Sequence, residues 1–209
     1  MFAVRHGSSP RYSIPEAIAD VRRAVRFVRS EAHEYSVDPE RLGVMGMSAG
    51  GHLALVLGTT GDDGDDTATG LDSYPSRVGA VVALVPPTDL RVAVWESPDS
   101  LPAYRNFPAL DLAMQKAAQS SPLVHVTEDD APALVIMGGK DELVPAKHGE
   151  WIAEAFEREG VANKLMIFPE SGHGLDGEGN RLKVVEEAKD WFQTHLGKPS
   201  PNSGIGGGP

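Results

Sequence analysis

Short, nearly continuous apolar runs alternate along this chain with longer segments whose apolar positions recur every three or four residues. The runs are Arg41–Met45, Val78–Val85, Ala133–Met137 and Lys164–Phe168. Uninterrupted apolar runs suit strands of a parallel sheet that is covered on both faces. Phe2-Ala-Val4 reads as one more short strand. Between the runs, Ile14, Ile18, Val21, Val25, Val28, Ala32 and Tyr35 make a helical stripe over residues 14–35. Ser13-Ile-Pro-Glu16 ahead of it has the form of a capping box, with a proline in the first turn. Further helices are predicted directly after residue 48, near Leu110–Ala118, around Ala146–Glu159 and over Arg181–Leu196. This alternation predicts an α/β domain over residues 1–196, a three-layer, doubly wound, mainly parallel sheet of about five strands. Residues 88–125, mixed and proline-containing, predict a lid or pocket-wall excursion. The Gly/Pro/Ser-rich residues 197–209 predict a flexible tail.

Composition narrows the function classes. The chain has 209 residues, a formal charge of −11 and no cysteine. That charge disfavours nucleic acid and anionic membrane surfaces as partners. Without cysteine there are no disulfides, thiolate metal sites or cysteine nucleophiles. No apolar run approaches the roughly 18 residues of a membrane span. The opening Met1-Phe-Ala-Val-Arg5 lacks the pattern of a signal peptide, although a signal upstream of it stays open, so the compartment is undefined. Arg22, Arg23, Arg26 and Arg29 occupy one face of the first helix and are read as a solvated face rather than a docking patch. Gly61-Asp-Asp-Gly-Asp-Asp66 invites a calcium reading, but its spacing is not that of a calcium loop, so a solvated acidic loop is expected.

The chemistry gathers at strand ends. Gly46-Met-Ser48-Ala-Gly50 lies between an apolar strand and a helix, the setting of a nucleophile elbow. Small residues on either side let the backbone turn sharply and present Ser48 Oγ at the strand end. The backbone N–H of Ala49 then faces a developing oxyanion. Asp141, in Met137-Gly-Gly-Lys-Asp141, follows a second strand, and His173, between Gly172 and Gly174, follows the last. Ligands of open α/β sheets bind at these carboxyl ends. The assigned roles are Ser48 as nucleophile, His173 as base and Asp141 as the acid that orients it. Asp89, in Pro87-Thr-Asp-Leu90, is a rival acid and ranks below Asp141. His52, His33, His195, His125 and His148 are weaker candidates for the base.

With these motifs, and with Ile14-Pro-Glu-Ala-Ile-Ala-Asp-Val21, Asp38-Pro-Glu-Arg-Leu-Gly-Val44 and Ser121-Pro122, residues 12–196 resemble the α/β-hydrolase superfamily. They are most similar to its acetyl-xylan and feruloyl esterase-like branch, and more distantly to prolyl-oligopeptidase catalytic domains. The resemblance implies a serine carboxylesterase for small or carbohydrate-linked esters, needing no metal or organic cofactor. Such proteins carry an HGGG-type segment well upstream of the elbow that supplies a second oxyanion donor. Here His6-Gly-Ser-Ser9 stands directly before the first helix and is read as a strand-exit loop instead. The first three strands of the usual fold are expected to be missing. Phe2–Val4 then slides against the elbow strand, a second copy covers the exposed edge as a homo-oligomer, or the reading frame is incomplete. Trp95 and Tyr104 are candidate pocket residues. Two other functions stay open: an impaired hydrolase serving as a binding or assembly module, and an aminopeptidase or acylpeptide hydrolase.

Overall fold

The structure, a computed structural model, describes residues 1–7, 11–95 and 114–197. Its centre is a parallel sheet of four strands, β1 (Gly43–Met47), β2 (Ala80–Leu84), β3 (Ala133–Gly138) and β4 (Asn163–Phe168), adjacent in that order. Gly43 pairs with Ala80 and Met47 with Leu84; Val81 pairs with Ala133, and Ala133 with Asn163. The two central strands are buried at every position, which is why they read as unbroken apolar runs.

Side chains alternate across the sheet and divide the core in two. Val81, Ala83, Ala133, Val135 and Met137 meet α1 (Ile14–Ser30), α2 (Ala49–Thr60) and α5 (Lys147–Glu159). Val82, Leu84, Leu134 and Ile136 meet Val184 and Ala188 of α6 (Asn180–His195), the helix on the opposite face. Two short helices, α3 (Leu90–Trp95) and α4 (Met114–Gln119), flank the segment that falls outside the described residues. That segment holds Tyr104 and the start of the helix expected near Leu110. The expected tail beyond Gly197 also lies outside them.

The capping box at Ser13 forms as expected, Ser13 N–H donating to Glu16 Oε2 at 2.7 Å. The helix ends at Ser30 rather than at residue 35. The stripe continues through turns that close on Ser36, whose φ is 51°, and on the Val37 N–H to Ala32 carbonyl bond. Phe2–Val4 is not a strand, so the described residues form four strands rather than five. Three apolar residues find no ladder there; Phe2 instead stacks edge-on against Tyr35, 5.0 Å between centroids. Among the described residues β1 is paired through β2 alone, and Met45 and Met47 stand exposed on it.

Of the four arginines on this helix, Arg23 is exposed as expected, but the other three are not a solvated face. Arg22, Arg26 and Arg29 lie one turn apart and reach into the loops that follow α2. Arg22 donates to the Thr60 carbonyl, and Arg29 to the carbonyls of Pro39, Pro75 and Arg77. Arg26 bridges Asp62 and Asp72 at 2.8 and 2.9 Å. Asp63 in turn pairs with Arg77. Asp62 and Asp63 of the acidic loop are thus partners for arginines, while Asp65 and Asp66 stand exposed as expected.

Candidate active site

At the carboxyl end of β1 the chain turns through Ser48 with φ 54° and ψ −120°, a conformation unfavourable for a side-chain-bearing residue. Two features hold it. Ser48 N–H donates to the Leu84 carbonyl of β2 at 2.8 Å, and the Ser48 carbonyl accepts the first bond of α2, from His52 N–H at 2.9 Å. Gly46 is required by close approach, because a Cβ there would overlap the Gly50 carbonyl. The turn leaves the Ala49 N–H at the first position of α2, where no carbonyl of the same helix reaches it.

Ser48, His173 and Asp141 come together over the sheet. Ser48 Oγ lies 2.9 Å from His173 Nε2, and His173 Nδ1 lies 2.7 Å from Asp141 Oδ2. The Asp141 side chain is fully buried, whereas that of His173 is a quarter exposed. The other carboxylate oxygen, Oδ1, accepts the N–H groups of Leu143 and Val144 at 2.9 and 2.8 Å. With both oxygens occupied, the carboxylate faces the imidazole in one orientation. The sequence signal for this turn is Asp141 with Pro145 closing the loop behind it, a side-chain-to-backbone turn after a strand.

Asp89 is committed elsewhere. Its oxygens take Arg91 Nε and Nη2 at 2.8 and 2.7 Å, and the Arg91 N–H at 3.0 Å. Burial raises its carboxyl, but the Arg91 bonds outweigh that and hold it below the usual range. His6-Gly7 is also engaged, Gly7 N–H donating to Asp20 at 3.0 Å. Trp95 ends α3.

Two histidines ranked as weak candidates prove to be buried supports. His52 Nδ1 donates to the Pro87 carbonyl at 2.9 Å, while its Nε2 is buried without a partner among the described residues. His148 Nδ1 accepts from the Thr88 N–H at 3.2 Å, and Thr88 Oγ1 donates to the His148 carbonyl at 2.8 Å. The Pro87–Asp89 segment beyond β2 is therefore pinned from α2 and from α5. Burial pushes both imidazoles down to about 4, so both are neutral near pH 7. Neither position has a local motif; their roles depend on which segments the fold brings near.

A parallel sheet with a strained serine turn, and an acid and a histidine at neighbouring strand ends, defines a shortened α/β-hydrolase fold. The chain belongs to the BD-FAE family, whose model matches residues 1–156. It is 28% identical over 172 residues to the probable carboxylic ester hydrolase LipM of Mycobacterium tuberculosis, covering 80% of this chain and 39% of that protein. To the acetylxylan esterase of Xylanibacter ruminicola it is 27% identical over 184 residues, covering 85% and 35%. Among solved structures, a truncated carbohydrate esterase from gut microbiota superposes with a TM-score of 0.78 at 26% identity, covering 94% of this chain and 74% of that one. Esterase Est2 of Thermogutta terrifontis gives 0.72 at 26%, covering 96% and 71%. The chain spans less than half the length of these curated relatives. Among the described residues no helix is long and apolar enough to cross a membrane.

Proposed function

We propose that this protein is a serine carboxylesterase that hydrolyses small or carbohydrate-linked acyl esters through a Ser48–His173–Asp141 triad. The unbroken hydrogen-bond line from Ser48 Oγ through the imidazole to a buried, doubly held carboxylate carries this reading. Ser48 Oγ attacks the acyl carbon while His173 Nε2 takes its proton, and Asp141 stabilises the imidazolium. The tetrahedral oxyanion faces the Ala49 N–H. His173 then protonates the leaving alcohol, and water repeats the sequence on the acyl-enzyme. The Ala49 N–H is one oxyanion donor, a group typically worth about 10²–10³ in kcat, and activated esters, which ask least of the oxyanion hole, are the substrates expected to turn over best. Relatives named as an acetylxylan esterase and as a carbohydrate esterase support the acyl-sugar class.

The chain also aligns with the acylamino-acid-releasing enzyme 1 of Oryza sativa, 25% identical over 193 residues, but over only 23% of that protein. Peptide cleavage is therefore the second reading. It demands more of the same site because an amine is a poorer leaving group. Hydrolysis of p-nitrophenyl acetate and butyrate by wild type and Ser48→Ala tests the proposal. Turnover lost in the variant is expected. Equal, negligible rates in both would favour a binding or assembly module, and turnover of acylpeptides in preference to esters would favour the second reading.

A further inference from the structure

His173 sits on a loop tip, in a turn that the Leu175 N–H closes on the Gly172 carbonyl at 3.1 Å. Among the described residues its own peptide group makes no hydrogen bond, and a Cβ on Gly172 would meet nothing nearer than 3.8 Å. Where that turn sits over the sheet is set from the ends of the loop. At those ends stands a compact polar hub that the reaction scheme above does not use.

The hub joins Ser171, 2% exposed, to Asn180, the first residue of α6. Ser171 Oγ donates to the Asp176 carbonyl at 2.6 Å and accepts from Asn180 Nδ2 at 2.8 Å. The same amide nitrogen reaches the carbonyls of Asp176 at 3.1 Å and Leu175 at 3.4 Å. Leu175 adopts φ 53°, costly for a leucine, and is buried among Val184 and Ala188 of α6. The loop is thereby closed on itself and tied to a helix packed on the sheet. Ser171 also faces the other way. Its carbonyl accepts the Lys140 N–H at 2.8 Å, in the residue before Asp141. Gly138 lies so close that a Cβ would overlap the Gly172 carbonyl. One residue therefore references the acid loop with its backbone and the histidine loop with its side chain.

We infer that Ser171 and Asn180 are positioning residues, whose shared hydrogen bonds set the approach of His173 to Asp141 and Ser48. This inference rests on the proposed triad. A structural bond at the surface would affect only how much protein is folded. A positioning hub affects how well the imidazolium is paired once the protein is folded.

Ser171→Ala and Asn180→Ala separate these effects when compared with wild type on p-nitrophenyl acetate, alongside thermal melts. Each is expected to lower kcat about 10- to 100-fold with KM within about twofold. A fall confined to kcat is the signature of misplacement, because a merely structural loss lowers the amount of folded protein and leaves kcat per folded molecule unchanged. The double variant should cost no more than the worse single one, since both break one hub. Asn180→Asp carries the test if the alanine variant does not fold. A carboxylate suits the first turn of a helix but turns an acceptor toward two carbonyls. A second measurement is independent of turnover: the downfield imidazole Nδ1 proton of His173 in NMR, recorded in a Ser48→Ala background. It is expected with the hub intact and broadened or lost in Asn180→Asp. An unchanged kcat per folded molecule, or an undisturbed Nδ1 proton, would overturn the inference. Full turnover by Ser48→Ala would overturn the triad reading instead, while the proton signal would still report on the hub.

Discussion

Two carboxylates, Asp89 and Asp141, stand at the ends of neighbouring strands, and only their hydrogen bonds tell them apart. Asp141 gives one oxygen to two backbone N–H groups and the other to His173. Both oxygens of Asp89 are taken by Arg91. Removing the charge should therefore have unequal consequences. Asp141→Asn is expected to lower kcat on p-nitrophenyl acetate by about 10³–10⁴-fold, because the amide holds the wrong imidazole tautomer. Asp89→Asn should lower it less than about tenfold, acting only through the Arg91 contact. The reverse ranking in steady-state assays would make Asp89 the acid. Chain order and strand-end position leave both acids eligible, since each follows a strand and lies between Ser48 and His173. The commitment of Asp89 to Arg91 was not legible, because Arg91 is one of many arginines until the backbone turn brings its guanidinium round.

At the scale of elements, α1 shows what a sequence pattern does and does not contain. Its apolar stripe and capping box are local, so both were legible. Its polar stripe was legible only as polar. Arg22, Arg26 and Arg29 find partners 36 to 48 residues away, or at Pro39, and nothing in a helical repeat names them. The same reasoning explains the other differences. Phe2–Val4 has strand-like residues but pairs with no strand among the described residues, and the support given by His52 and His148 depends on segments that meet only in the fold. The central strands β2 and β3 were easiest, since burial on both faces leaves no polar position to confuse the period. Arg26 supplies the test at this scale. It is mostly buried and grips Asp62, which is itself held by Ser76 and the Gly64 N–H. Arg26→Ala should destabilise by about 2 kcal/mol, because it strands a partly buried carboxylate. Arg23→Ala, on the exposed side of the same helix, should change stability by less than about 0.5 kcal/mol. Urea denaturation of the two variants beside wild type measures the difference.

Across the whole molecule, the buried histidines make stability depend on pH in a direction that can be worked out. His52 and His148 titrate at about 4 in the folded protein against an ordinary value of 6.5, because burial disfavours the imidazolium. His148 faces the carboxylates of Asp89 and Asp141, which offset its burial only in part, while His52, a second imidazole, acts with burial to lower it. Between pH 6.5 and 4 the unfolded chain binds protons at these positions that the folded chain refuses. Stability therefore falls as the pH is lowered through that window, by on the order of 1 kcal/mol per pH unit for each histidine. One carboxyl works against them. Asp130, half-buried beside Asp129, is raised to about 6 by burial, so the folded chain takes up a proton there before the unfolded chain does. Its contribution grows as the pH falls from 6 to 3.8 and cancels about one histidine. The net expectation is a urea midpoint that drops between pH 7 and pH 4.5. The slope should be flatter in His52→Asn, whose amide can still donate to the Pro87 carbonyl, and flatter in His148→Asn, whose oxygen can accept from Thr88. It should be steeper in Asp130→Asn, where the opposing group is gone. A midpoint that stays level in wild type, or slopes that all match, would mean that the two imidazoles are protonated in the folded state, and that the Pro87–Asp89 segment is held in some other way.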